Sequence, residues 1–461
     1  MEAVSPRVYW TPLAWVDGRW QRAVRLTVDS SGHWSAIEAG APREGATVLA
    51  GPVIPSLVDA HSHAFQRAFA GLAERRAAEQ DDFWSWRERM YGLALRITPA
   101  QMRAIAAQLY AELLLGGFTQ VCEFHYLQHA EDGSEYADDP LAMSWALADA
   151  AEEAGLGLTM LPVLYAHSGF GEPGLREDQR RFRSDAAWVH AASRRISTAG
   201  RPLLNAGVAL HSLRAAHAQD IAELKALLGD ADLPIHIHIS EQMAEVDASL
   251  AHSGQRPMQW LCANAAPDAR WHLVHATHGT ASEIEAVARS GASVVICPGT
   301  EANLGDGLAD LPGWLAAGVP LSIGTDSHAT RTVVEELRWL EYGQRLGLRQ
   351  RNVSAAPPAQ ASTAARLFER MRAGSAAPAG LGRWGLQAGA RADFIVLESG
   401  APGLLGVPDE YLLDALLFAT QGSGLRDVYV AGQLRVKQGR HVAQAQIAES
   451  FGTAMRELWR A

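Results

Sequence analysis

Residues 53–63 read VIPSLVDAHSH, a short apolar run that ends in an aspartate and two histidines spaced two apart. In extended backbone, residues i and i+2 point to the same side, so His61 and His63 aim two imidazoles at one point. Such a pair suits a divalent ion, because neutral imidazole is the commonest protein metal ligand. Taken alone, the pair decides little, since most histidines two apart are ordinary ones. Its meaning comes from the chain around it.

Outward from that stretch, short β-branched runs alternate with Ala/Leu/Glu/Arg segments of helical period, the texture of repeated βα units around a parallel sheet. Eight candidate strands lie at 53–58, 118–124, 158–165, 206–211, 234–240, 271–276, 293–297 and 320–325, with helices expected at 100–115, 141–154 and 219–228. Eight such units predict an α/β protein built on a (β/α)8 TIM-type barrel over residues 55–379. The competing doubly wound sheet calls for a Gly-rich phosphate loop after its first strand, and the sequence has none there. The flanks differ in character. Residues 7–54, 392–398 and 427–436 carry short strand-like runs broken by Gly and Asp turns. They predict a small β-sandwich domain from both chain ends, residues 1–54 plus 380–445, with a C-terminal helix over 446–461.

Composition narrows the function. The chain of 461 residues carries a net charge of −11, which argues against a nucleic-acid surface but leaves room for a local basic cleft. All but two of its 40 basic residues are arginines; the lysines are Lys225 and Lys437. Cys122, Cys262 and Cys297 are far apart and form no CxxC, which fits a reducing compartment. The start, MEAVSPRVYW, lacks the basic-then-apolar pattern of a signal peptide, and no run reaches the length of a membrane span. A cytoplasmic protein that binds neither nucleic acid nor membrane is expected.

Metal-competent residues recur at the C-terminal ends of the predicted strands, the face on which barrels build active sites. The fifth strand runs into His236-Ile-His238-Ile-Ser-Glu241, the sixth ends at His275, and the eighth ends Gly324-Thr-Asp326-Ser-His328. Each has a bland alternative, His275 as a core residue and Asp326 as a helix cap. Four such pieces on four strand ends of one barrel point instead to a metal-dependent hydrolase.

These motifs resemble the amidohydrolase superfamily over nearly the whole chain. The resemblance implies that His61, His63, His238 and Asp326 hold the metal, with Glu241, His275 and Asp326 acting on water and substrate. Three histidines and a carboxylate suit Zn2+. One ion per chain is expected, because two-metal members bridge their ions with a modified lysine and neither Lys225 nor Lys437 falls at a predicted strand end. His236 shares a side with His238 by strand period, so preferring His238 rests on the motif match alone. The longer segments HSHAFQRAF (61–69), DFWSWRERMY (82–91) and HSLR (211–214) resemble the branch of deiminases that act on linear amidines carrying two carboxylates.

That narrower resemblance implies substrate contacts from Gln66, Arg87, Tyr126, His211 and Arg214, and a homodimer. Planar guanidinium groups are the natural clamps for two carboxylates, so a small dicarboxylate substrate is expected between Arg87, on the long first loop, and Arg214. Trp84 and Trp86 read as packing residues, and Glu301 and Asn303 as residues within reach of the pocket. A guanidino dicarboxylate or a purine is the alternative substrate, and a non-catalytic barrel is the rival of another class.

Overall fold

The structure is a computed structural model that describes residues 7–76, 81–422 and 424–460; the first six residues of the predicted terminal domain lie outside it. Eight parallel strands form the barrel. They are β1 (Leu57–Ser62), β2 (Phe118–His125), β3 (Gly157–Leu164), β4 (Leu204–Ala206 and Val208–Leu210, interrupted at Gly207), β5 (Ile235–Ile239), β6 (Trp271–His275), β7 (Ser293–Ile296) and β8 (Leu321–Ile323). The sheet closes where Ile323 of β8 pairs with Asp59 of β1, and Ala209 of β4 pairs with Val163 of β3. Every residue of β1, β2, β3 and β5 to β8 is buried, as expected when helices cover the outside of a parallel sheet.

The helices start where local chemistry favours it. Pro99–Leu115 opens on Thr98, whose hydroxyl accepts from the Gln101 amide, with Pro99 at a position that needs no N–H donor. Ala142–Ala154 and Ala218–Leu228 follow the expected bounds within a residue. Among the described residues, no helix is long and apolar enough to cross a membrane.

The predicted first strand, 53–58, is in fact two strands in two sheets. Val53–Pro55 pairs antiparallel with Phe394–Val396 in the sheet of the chain ends, and the barrel strand begins only at Leu57. Ser56 makes the crossing, its hydroxyl bonded to Thr119 at 2.7 Å. An unbroken apolar run hides this change of partner, because both strands are buried. The consequence is functional: β1 runs through His61, so that the first metal-competent histidine lies inside a strand.

The strands of the two chain ends share one nine-stranded sheet, in which Arg7–Val16, Arg19–Val28 and Trp34–Glu38 connect through Val53–Pro55 to Phe394–Leu397 and Leu425–Val430. Their inner residues, among them Tyr9, Leu26, Trp34, Phe394 and Tyr429, make a core of their own. Phe394 and Tyr429 stack nearly parallel with ring centres 4.3 Å apart.

Gly374 ends the helix Thr363–Gly374 against β8, where an added Cβ would lie 1.9 Å from the Leu321 carbonyl oxygen. Gly374→Ala must therefore push helix and strand apart. A destabilisation of about 1–3 kcal/mol is expected, the usual cost of overpacking, and urea unfolding of the two proteins measures it.

Candidate active site

The mouth of the barrel gathers nearly all of the sequence candidates. Gln66, Arg87, Tyr126, His211, Arg214, His63, His238, Glu241, His275 and Asp326 line one small cavity, and His61 lies fully buried beneath it. They arrive from different elements. His61 comes from β1, His63 and Gln66 from just after it, and Tyr126 from just beyond β2. His211 and Arg214 follow β4, and His238 and Glu241 end β5. His275 closes β6, and Asp326 follows β8.

Backbone conformation shapes three of these strand ends. Ser240, His275 and Asp326 have φ of +53°, +69° and +49°, a left-handed conformation that costs a residue with a Cβ about 1–3 kcal/mol. It breaks the strand alternation and lets His275 and Asp326 turn into the mouth. Gly324 permits a related closeness, because a Cβ there would lie 2.7 Å from the Cβ of His61. Asp59 ties β1 to the same segment by accepting from the Thr325 amide at 2.9 Å and its hydroxyl at 2.6 Å.

Four donor atoms converge. His61 Nε2 lies 3.1 Å from His63 Nε2 and 2.9 Å from His238 Nε2, and Asp326 Oδ1 lies 3.5 Å and 3.3 Å from the first two. His63 Nδ1 donates to the Phe124 carbonyl and His238 Nδ1 to the His211 carbonyl, both at 2.9 Å. In neutral rings those bonds leave the Nε2 of His63 and His238 as lone pairs, both aimed at the point where His61 Nε2 lies. Burial disfavours a proton on any of them: it drops His61 to about 3, and it also lowers His63 and His238. Burial opposes charge on Asp326 too, but the surrounding histidines hold it well below the usual carboxylate range. Three buried imidazoles and one carboxylate at these separations match a tetrahedral divalent-metal shell in which backbone carbonyls set the orientation of His63 and His238.

His236 does not join them. Its Nε2 meets the Pro378 carbonyl at 2.9 Å, and its ring packs on His272 lower in the barrel. Lys225 bonds to the Ala265 carbonyl and Lys437 sits in the terminal sheet, both outside the cluster.

His275 stands on the open side. Its Nε2 is 3.7 Å from Asp326 Oδ2 and 3.8 Å from Glu241 Oε1, and its Nδ1 is 3.3 Å from Glu301 Oε1. Burial works against its charge, but Glu241, Glu301 and Asp326 overcome this and push its pKa up to about 10. A divalent ion beside it acts in the opposite direction. Burial raises Glu241 to about 7, with Asp326 adding to the rise and His275 opposing it. A carboxyl group poised there can carry a proton near neutral pH.

The upper wall comes from a helix, Phe83–Ala94, where the sequence reading expected a loop. Asp82 caps it by accepting from the Trp84 and Ser85 amides. Phe83, Trp86, Arg87, Met90 and Tyr91 then fall on one face and line the cavity. Arg87 lies over the Trp84 ring at 4.4 Å and Arg214 lies near the same ring at 5.8 Å. Among the described residues neither guanidinium has a carboxylate partner, and the Nε of each is buried without a hydrogen-bond partner. Gln66 donates to Tyr126 at 3.2 Å, while its own Oε1 is left unpaired.

Several contributors escaped the sequence reading. Glu123 holds the turn after β1 by accepting from Ser62 and the Ala64 amide. Tyr165 packs against His211 with ring centres 4.3 Å apart and planes inclined at 52°, and shares a hydroxyl contact with Tyr91. The acidic Glu123 within a buried strand was a visible signal; Tyr165, at the end of an apolar run, gave none. Glu301 reaches His275, whereas Asn303 points away to Glu74.

A (β/α)8 barrel with three histidines and an aspartate converging at its mouth belongs to the class of metal-site barrel hydrolases. The amidohydrolase family matches residues 53–435, and this chain belongs to that family, a hydrolase of C–N bonds. It is 46% identical to the formimidoylglutamate deiminase of Pseudomonas aeruginosa, over 95% of this chain and 96% of that one. It is 29% identical to a 5-methylthioadenosine/S-adenosylhomocysteine deaminase of Natronomonas pharaonis, over 84% and 81% of the two chains. The solved structure of an amidohydrolase from Brucella melitensis superposes with a TM-score of 0.92 at 40% identity, covering 98% of this chain and all of that one (100%).

The two histidines of β5 give a direct test. His238→Asn is expected to lose bound metal, whereas His236→Asn, at a ring that meets the Pro378 carbonyl and His272, retains it; elemental analysis of the purified variants reads both.

Proposed function

We propose that this chain hydrolyses N-formimino-L-glutamate to N-formyl-L-glutamate and ammonia, a step of histidine breakdown, with one Zn2+ per chain held by His61, His63, His238 and Asp326. The observation that carries this reading is the pair Arg87 and Arg214. Two guanidinium groups without carboxylate partners face one cavity beside the metal-competent cluster. Buried charge left unpaired is costly, and a ligand with two carboxylates supplies both partners at once. A purine offers neither, which disfavours the alternative suggested by the nucleoside-deaminase relative.

Bound Zn2+ supplies Lewis acidity and eases the deprotonation of water. The protein does the rest. Arg87 and Arg214 bind the two carboxylates and thereby aim the formimino carbon at the cluster. Gln66 Oε1 accepts from an N–H of the substrate, and Tyr126 and His211 wall the cavity on that side. Asp326 Oδ2 and His275 Nε2 flank the attacking water and accept its proton. Glu241 delivers one proton to the terminal nitrogen on attack. As the carbon–oxygen double bond forms, the hydroxyl proton left from the water reaches the same nitrogen through Asp326, and the proton first taken from the water restores Glu241. The bond from carbon to that nitrogen breaks, ammonia leaves, and the water oxygen stays on carbon as the formyl oxygen. Glu301 keeps the His275 ring in place from behind.

Two measurements test this. Ammonia release should be fast with N-formimino-L-glutamate and slow or absent with N-guanidino-L-glutarate and with guanine; fast release from guanine would refute the assignment. Arg214→Met and Arg87→Met should each lower kcat/KM by about 2–5 kcal/mol, the cost of stranding a charged partner. Glu241→Gln keeps the shape and removes the acid, so kcat should fall about 100- to 10,000-fold with KM nearly unchanged, as expected for loss of a general acid.

A further inference from the structure

A second cavity, of about 660 Å3, opens at the end of the barrel opposite the mouth, between the starts of β3 and β4 and the sheet of the chain ends. Five arginines line it, namely Arg7, Arg201, Arg383, Arg391 and Arg435, against a single acid, Glu152. In a chain of net charge −11 this is a marked local reversal.

Two of the five are already neutralised. Arg391 pairs with Asp393 at 2.6 Å, and Arg201 with Asp149 at 2.7 Å and Glu152 at 3.6 Å. The other three have no carboxylate partner among the described residues. Arg7 bonds to the Ala431 and Gly432 carbonyls, Arg383 to the Ala388 carbonyl, and Arg435 to the Gln433 side chain. The Nε of Arg435 is buried without any partner.

The backbone makes room for these groups. A Cβ at Gly155 would lie 2.5 Å from Arg435 Nε, and one at Gly157 would lie 2.5 Å from an Arg391 nitrogen. Leu156, Leu158 and Leu204 give the same cavity an apolar wall. Guanidinium forks beside such a wall suit an anion with several phosphate oxygens and a flat or apolar body.

We propose that this cavity binds a small organic polyphosphate, its phosphates on Arg7, Arg383 and Arg435 and its body against Leu156, Leu158 and Leu204. The site is separate from the catalytic mouth and does not depend on which amidine is the substrate.

Calorimetric titration of the metal-loaded protein with ADP and with inorganic pyrophosphate, at low salt, tests it. Binding is expected, and it should weaken at least tenfold in the Arg383→Gln/Arg435→Gln double variant. It should survive in Arg87→Met/Arg214→Met, which excludes capture by the catalytic arginines. Tighter binding of ADP than of pyrophosphate identifies a nucleotide; equal binding identifies a bare polyphosphate group as the recognised element. Arg383→Gln alone, at an exposed position, provides a folded variant with unchanged deiminase turnover and an intermediate loss. Absence of binding to the unmodified protein overturns the proposal. So does binding that the Arg383→Gln/Arg435→Gln change leaves intact, or that the Arg87→Met/Arg214→Met change weakens equally.

Discussion

Imidazole lone pairs aimed at one point of the barrel mouth are the constraint around which this protein is arranged. His61, His63 and His238 are buried; backbone carbonyls turn His63 and His238 so that their Nε2 atoms lie 3.1 Å and 2.9 Å from that of His61, with Asp326 beside them. Such a convergence of lone pairs and a carboxylate suits a cation. Much of the surrounding structure serves to hold it: the Asp59–Thr325 tie between β1 and β8, the Cβ-free Gly324 against His61, and the left-handed backbone of His275 and Asp326. His275 is surrounded by the carboxylates Glu241, Glu301 and Asp326 instead, so the mouth has an imidazole-rich side and a carboxylate-rich side.

A second electrostatic pattern lies one layer outward. Arg87 and Arg214 share the face of Trp84, which shields them without supplying a counter-charge. Trp84 was expected to be a packing residue, and it is one, but what it packs is the pair of cations. The same economy recurs at the far end of the barrel, where glycines give arginines space and carbonyls satisfy them without neutralising them. Arginine serves this use better than lysine because its charge is spread over a plane that stacks and still donates in a fork.

The barrel was legible because short apolar runs alternate with longer segments of helical period, and seven of its eight strands lie close to where that alternation puts them. The exception, 53–58, shows the limit. Val53–Pro55 and Leu57–Ser62 are equally apolar and equally buried, so nothing local says that they pair in different sheets. The helix Phe83–Ala94 was missed for a related reason. Its polar and aromatic residues alternate too irregularly to read as amphipathic, because the face it buries is partly cationic.

By itself the sequence determined the fold class, the strand ends that carry chemistry, and the residue types available there, since these follow from periodicity and from which side chains ligate or ionise. It also determined that any basic clamp would be arginine. Only the tertiary structure decided between His236 and His238, because both point to one side of β5 and depth in the barrel alone separates them. It alone brought Glu301 behind His275 and Tyr165 beside His211, and set Arg87 and Arg214 against Trp84 with no carboxylate partner among the described residues. These are distances across the barrel between residues far apart in the chain, and no local pattern encodes them.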